Sequence, residues 1–235
     1  MNVIPQRVKD GFVRLVSPIA RALIRSGVHP NVVTTTGTLM LLGSAAAFWR
    51  GAPHWGGALL LASGLFDILD GQVARQGGLA TKFGAFYDST LDRVGESAIF
   101  AGIALWFLRG GVPAAQAPLA VGLSIAALVS SLLVSYTRAR AEGLGLEAKV
   151  GIAQRAERFV LLGVPTLFLG AGRDGALLFW IIVVLAGATT ITVLQRVVHV
   201  ARLSADPTRV PTGVGGSGAA KRDTLPGRVP QRKGT

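Results

Sequence analysis

No cysteine occurs among the 235 residues, so disulfide scaffolds and thiolate metal sites are excluded. Histidine is nearly absent as well, with His29, His54 and His199 too scattered to form a zinc cluster. Charge is scarce: 15 % of residues are Asp, Glu, Lys or Arg, against roughly 25 % in a soluble domain. A mean hydropathy of +0.51 rules out disorder for the bulk of the chain. What remains is an all-α integral membrane protein. The net charge of +12 would suggest nucleic acid in a soluble protein. Here the placement of the charges argues for a membrane instead, and no nucleic-acid partner is expected.

Stretches free of charge divide the chain. Ser26 to Trp49, Gly110 to Thr137 and Gly175 to Gln195 approach or exceed the ~20 residues that a spanning helix needs. Gly51 to Phe66 and Ser97 to Leu108 reach that length only if the neighbouring aspartates are admitted. The pattern predicts six transmembrane helices near 30–50, 53–75, 84–108, 114–138, 157–172 and 175–202. With the amino terminus inside, 21 lysines and arginines fall on the cytoplasmic side, and only Arg50, Arg109 and Arg173 fall outside. The reading is therefore a multi-pass protein of the cell membrane with both termini cytoplasmic.

Two segments flank the six-helix domain of residues 30–203. Over 1–29, Phe12, Leu15, Val16, Ile19 and Leu23 recur at helical spacing between Arg7, Arg14, Arg21 and Arg25. This predicts an amphipathic juxtamembrane helix, lying in the headgroup plane or packed on the protein's own cytoplasmic face, with Pro18 starting a new helical segment. Residues 204–235 turn to Pro, Gly, Ser and basic residues and are expected to form a disordered basic cytoplasmic tail. The first apolar run begins too late and is too long for a cleavable secretion signal.

Four carboxylates lie inside the predicted spans. Each charge costs at least ~2.5 kcal/mol near a bilayer centre, so Asp67, Asp70, Asp88 and Asp92 need partners. Asp67 and Asp70 are three residues apart and Asp88 and Asp92 four, so each pair projects from one helix face. The short connection at 76–82 makes the two helices antiparallel and lets those faces meet. Hard divalent cations, Mg or Mn, suit such an oxygen donor set, and four aspartates suffice for two bridged ions. Ion pairs to Arg75 and Arg93, or the pathway of a carboxylate-based ion transporter, are the alternatives at this point. Gly71, Ala74 and Gly84 stand one-turn offsets from the aspartates, leaving space beside them for a bulky ligand.

Residues 67–92 read D-I-L-D-G-Q-V-A-R, eight residues, then G-A-F-Y-D-S-T-L-D. This resembles the signature of the CDP-alcohol phosphotransferases, D-x2-D-G-x2-A-R-x8-G-x3-D-x3-D, with Asp67, Asp70, Gly71, Ala74, Arg75, Gly84, Asp88 and Asp92 at its fixed positions. Eight such matches arise by chance at roughly 10⁻⁹ per starting point when each residue has ~7 % usage. The resemblance implies that Asp67, Asp70, Asp88 and Asp92 bind metal, that Asp92 is also the general base, and that Gly71, Arg75 and Thr81 sit against CDP. Ala74 and Gly84 belong to the same pocket. Pro30-Asn31-Val32-Val33-Thr34 resembles the element this family places near the nucleotide, which adds Asn31 and Thr34. The implied reaction transfers the phosphatidyl group of CDP-diacylglycerol to an alcohol and releases CMP. Homodimerisation is also implied by the resemblance.

The acceptor is read from cations. Ser135 to Glu142 and Gly151 to Arg158 are similar to segments of the bacterial phosphatidylinositol-phosphate synthase branch of the family. Gln154 and Ala156 stand where Glu and Pro are expected. Arg138, Arg155, Arg158 and Arg196 are the candidates to hold the phosphate of a phosphorylated polyol, with inositol phosphate expected and glycerol 3-phosphate, the substrate of a phosphatidylglycerophosphate synthase, as the alternative.

Overall fold

A computed structural model describes residues 6–205. The predicted tail therefore lies outside the described residues, apart from the end of the last helix. Among the described residues seven α-helices follow in order: α1 Gln6–Arg25, α2 Pro30–Trp49, α3 Pro53–Gln76, α4 Lys82–Trp106, α5 Ala117–Gly143, α6 Arg155–Leu169 and α7 Ala176–Ser204. No strand occurs among the described residues. Helix starts follow local chemistry. Pro30, Pro53 and Pro118 stand in first turns, where a missing N–H costs nothing, and Thr81 caps α4 by accepting from the Gly84 N–H at 2.9 Å.

Helices α2 to α7 cover the six stretches read as spans, and length and apolarity single out four of them. Among the described residues four segments are long and apolar enough to cross a membrane: Pro30–Trp49, Pro53–Gln76, Ala114–Gly143 and Arg173–Ser204. Helix α4 carries Lys82, Asp88, Asp92, Arg93 and Glu96, and α6 has 15 residues, or about 22 Å at 1.5 Å per residue. Large apolar side chains face outward on several helices, among them Leu39, Leu119, Phe168, Trp180 and Leu194. That is the surface a bilayer covers.

Two boundaries differ from the sequence expectation. Helix α5 continues to Gly143, beyond the predicted end of the span near 138, so Arg138 and Arg140 both lie on its last turns. Arginine ends an apolar span without ending a helix, and the chain meets no breaker before Gly143. Pro18 does not start a new helix but lies inside α1. The missing hydrogen bond is offset by packing of Val16 and Ala20, fully buried in a cluster with Val33, Leu69 and Val73.

The main core joins Leu41 and Phe48 of α2, Leu60 of α3, Ile99 and Ile103 of α4, and Leu178, Ile182 and Leu185 of α7. Small residues bring helices into close contact: a Cβ on Gly102 would lie 2.3 Å from the Ala45 carbonyl oxygen, and one on Gly57 2.7 Å from that of Gly163. The turns α2–α3, α4–α5 and α6–α7 gather at one end of the bundle. There Gly175 adopts φ +71°, and a Cβ on it would fall 1.9 Å from the Gly111 carbonyl oxygen. His54 Nδ1 lies 2.8 Å from the Leu167 carbonyl, tying a second pair of these turns. The aspartates lie towards the other end.

Candidate active site

Helices α3 and α4 are joined by five residues, 77–81, and this short link sets their aspartates face to face. One carboxylate oxygen from each of Asp67, Asp88 and Asp92 lies within 4.8 Å of the others. Asp70 is 7 % exposed and stands apart from that trio, accepting a 2.8 Å hydrogen bond from the Thr34 hydroxyl of α2. Asp88 Oδ1 is buried without a hydrogen-bond partner among the described residues. A buried, unsatisfied carboxylate oxygen beside two more carboxylates suits a hard cation. The donor set therefore fits Mg or Mn, with Asp67, Asp88 and Asp92 able to share an ion and Asp70 adjacent.

One cation already reaches the trio. Arg155, at the start of α6, places Nη1 2.6 Å from Asp67 Oδ1 and 2.5 Å from Asp92 Oδ2. Its guanidinium carbon lies 4.8 Å from the centre of the Phe159 ring, one turn further along α6. Arg93 is more remote, 3.8 Å from Asp92, and donates to the Ser89 carbonyl of its own helix.

Beside the carboxylates lies a cavity of about 200 Å³ between the ends of α2, α3 and α4. Asn31, Thr34, Gly71, Ala74, Arg75, Thr81 and Gly84 all line it, together with Asp70 and Asp88. Every residue expected at the nucleotide thus borders one space. Gly71 makes room for Arg75, whose Nη1 would lie 3.1 Å from an added Cβ. Gly84 faces Thr81 Oγ1 and Asn31 Oδ1 at 3.1 and 3.5 Å from such an atom. Thr35 and Tyr87 meet at 2.9 Å and link α2 to α4 just behind.

The four arginines expected at the acceptor have different surroundings. Arg155 belongs to the carboxylate trio. Arg158 is 3 % exposed and bonds Glu96 through Nε and Nη2, each at 2.7 Å, while its Nη1 donates to the Ala153 carbonyl at 2.8 Å. Arg196 donates to the Val150 carbonyl at 2.9 Å and to the Val134 carbonyl. Arg138 pairs with Glu142 at 2.9 Å on the exposed end of α5, and it acts on Arg196 electrostatically, as does Arg158.

Sequence reasoning missed three residues that build this region. Glu96 stands four residues after Asp92, so its helical spacing from a motif position was the available signal. Thr192 accepts from the Ala153 N–H at 3.0 Å, and His199 Nε2 lies 3.2 Å from the Glu147 carbonyl. Thr192, Arg196 and His199 form one stripe of α7 that fastens the 144–154 loop. Gly151 serves the same contact: at φ +129°, its missing Cβ would lie 2.3 Å from Thr192 Cγ2.

Residues 27–192 match the CDP-alcohol phosphatidyltransferase family. The chain belongs to that family. It is 40 % identical over 222 residues to the phosphatidylinositol phosphate synthase of Streptomyces avermitilis, covering 89 % of this chain and 88 % of that one. The crystal structure of Mycobacterium tuberculosis phosphatidylinositol phosphate synthase with CDP-DAG bound aligns with a TM-score of 0.69 at 35 % identity, covering 80 % and 94 % of the two chains. The same enzyme in complex with manganese and citrate aligns at 0.69 and 36 % identity, over 79 % and 88 %. Family membership makes the protein a phosphatidyltransferase and sets aside ion transport as the reason for its membrane aspartates.

Proposed function

We propose that the protein transfers the phosphatidyl group of CDP-diacylglycerol to a hydroxyl of inositol phosphate, releasing CMP. The observation that carries this reading is the convergence of three aspartates beside a cavity lined by Asn31, Thr34, Gly71, Arg75, Thr81 and Gly84. The names of the relatives and the CDP-DAG bound by the mycobacterial structure support the donor and the acceptor.

In this reading Asn31, Thr34 and Thr81 offer polar groups to the nucleotide, and Gly71, Ala74 and Gly84 keep side chains out of its way. Arg75 neutralises phosphate charge. Asp67, Asp70, Asp88 and Asp92 hold metal, Mg or Mn and two ions in number, which when bound clamps the pyrophosphate and stabilises the departing CMP. Asp92 takes the proton from the acceptor hydroxyl. The hydroxyl oxygen attacks the β-phosphorus of CDP-diacylglycerol as the bond to the bridging oxygen breaks, and CMP leaves with that oxygen. Arg155 and the cluster of Arg138, Arg158 and Arg196 supply positive charge for the phosphate of the acceptor.

The same proposal places α2 to α7 across the cell membrane as six spans, with Asp88 and Asp92 of α4 turned to the site. Helix α1 lies in the headgroup plane on α3. Both termini and the site face the cytoplasm, in line with the 21 cations on that side. Residues 1–29, 30–203 and 204–235 are the juxtamembrane helix, the catalytic domain and a basic tail, and the protein works as a homodimer.

The test is CMP release by the purified protein with CDP-diacylglycerol and Mg or Mn, comparing inositol phosphate, glycerol 3-phosphate, serine and free inositol. Release with inositol phosphate, abolished by Asp92→Asn, is the expected result. Release with glycerol 3-phosphate alone would overturn the acceptor assignment, and no release with any acceptor would overturn the proposal.

A further inference from the structure

Three carboxylates with oxygens inside 4.8 Å repel one another strongly where the dielectric is low. In the structure a single Nη1 of Arg155 lies within 2.6 Å of two of them. The contact is long-range, 88 residues from Asp67 and 63 from Asp92, so the packing of α6 on α3 delivers it. The rest of the side chain is weakly committed. Its Nε is buried without a hydrogen-bond partner among the described residues, and its guanidinium also lies over the Phe159 ring. Next to it, Arg158 is anchored on Glu96 and the Ala153 carbonyl, contacts in which the Arg155 side chain takes no part.

We propose that Arg155 is the exchangeable counter-ion of the metal site. Its guanidinium holds Asp67 and Asp92 while no divalent cation is bound, and it is displaced when metal takes those oxygens. The released guanidinium then turns to the phosphate of the acceptor. This last step rests on the function proposed above, and it makes acceptor binding depend on prior metal binding. A dication competes well for two carboxylates against one monovalent charge, and the phosphate dianion gives the displaced arginine a new bidentate partner. Metal and acceptor each strengthen binding of the other by the same factor, as linkage requires.

The test uses the full chain in detergent with Mn alone as the first probe, followed by electron paramagnetic resonance. Arg155→Gln is expected to bind Mn at least tenfold more tightly than the unmodified protein. Arg93→Gln removes a cation more remote from the trio and is expected to change Mn affinity less than threefold. Without metal, Arg155→Gln melts below the unmodified protein, and saturating Mn closes that gap. Should the glutamine variant not fold, Arg155→Lys carries the same melting comparison, since lysine keeps the charge on a side chain that lacks the guanidinium fork. In the second arm, calorimetry with inositol phosphate is expected to give binding at least tenfold weaker in the absence of Mn. An unchanged Mn affinity in Arg155→Gln, or a melting gap that Mn leaves open, overturns the counter-ion role. Equal inositol phosphate binding with and without Mn overturns the handover. Failure of CMP release would strike the proposed function while leaving the Mn results intact.

Discussion

Replacing Glu96 with glutamine leaves Arg158 charged and buried, with its backbone bond to Ala153 but no counter-ion. The Glu96 and Arg158 side chains are 6 % and 3 % exposed, and their contacts measure 2.7 Å, so water offers little compensation. Breaking one side of such a buried pair costs about 3–5 kcal/mol. At ~2–4 °C per kcal/mol for a chain of this size, the thermal midpoint should fall by roughly 6–20 °C. The double variant Glu96→Leu with Arg158→Met removes both charges together and should be more stable than either single variant, because no orphaned ion remains. Thermal denaturation in detergent, followed by the fraction that stays monodisperse, measures all three. A double variant that loses the sum of the two single losses would refute the reasoning, as would Glu96→Gln losing less than about 2 °C.

Asp92→Asn should lower CMP release by about 10²–10⁴-fold, with the thermal midpoint largely kept, because the substitution also removes a repelling charge from the trio; parallel activity and melting measurements check this. Gly84→Ala adds a Cβ 3.1 Å from Thr81 Oγ1 and 3.5 Å from Asn31 Oδ1. It should raise KM for CDP-diacylglycerol several-fold while the helix gains up to ~1 kcal/mol of propensity, so kinetics and stability move in opposite directions. Gly151→Ala would force its Cβ to within 2.3 Å of Thr192 Cγ2 at a backbone φ of +129°. It should open the 144–154 loop, seen as faster proteolysis there and reversed in part by Thr192→Ser, which removes the methyl and keeps the hydroxyl that accepts from the Ala153 N–H.

The long helices were legible because scarce charge marks the ends of the apolar stretches, and the aspartates because their spacing of three and four survives any reading of the helix boundaries. Residues lining the cavity beside Asp70 and Asp88 were found through the motif, whose glycines occupy single turns beside the acids. What the sequence did not disclose was which cation meets which anion. Arg155 and Arg158 are three residues apart in one basic segment, yet the first faces Asp67 and Asp92 while the second is buried on Glu96. That difference is decided by how α6 packs on α3 and α4, a tertiary fact without a local signature. Arg196 is similar: its partners are carbonyls of Val134 and Val150, and backbone acceptors leave no trace in composition. The end of α5 was misjudged because the edge of an apolar span and the end of a helix have different physical causes.

The contact of Gly175 with the Gly111 carbonyl gives the bundle uneven stiffness. At that end the α4–α5 and α6–α7 turns meet backbone to backbone at Gly111 and Gly175. Around the aspartates the helices are joined through side chains, above all Arg155, Arg158 and the Thr34 to Asp70 bond. The helices therefore act as levers on a fixed pivot. A tilt of about 4° on a helix of ~20 residues, roughly 30 Å long, moves its far tip by about 2 Å. Space for a lipid donor can thus be made at the site end by small rotations, with the packing at the pivot left undisturbed.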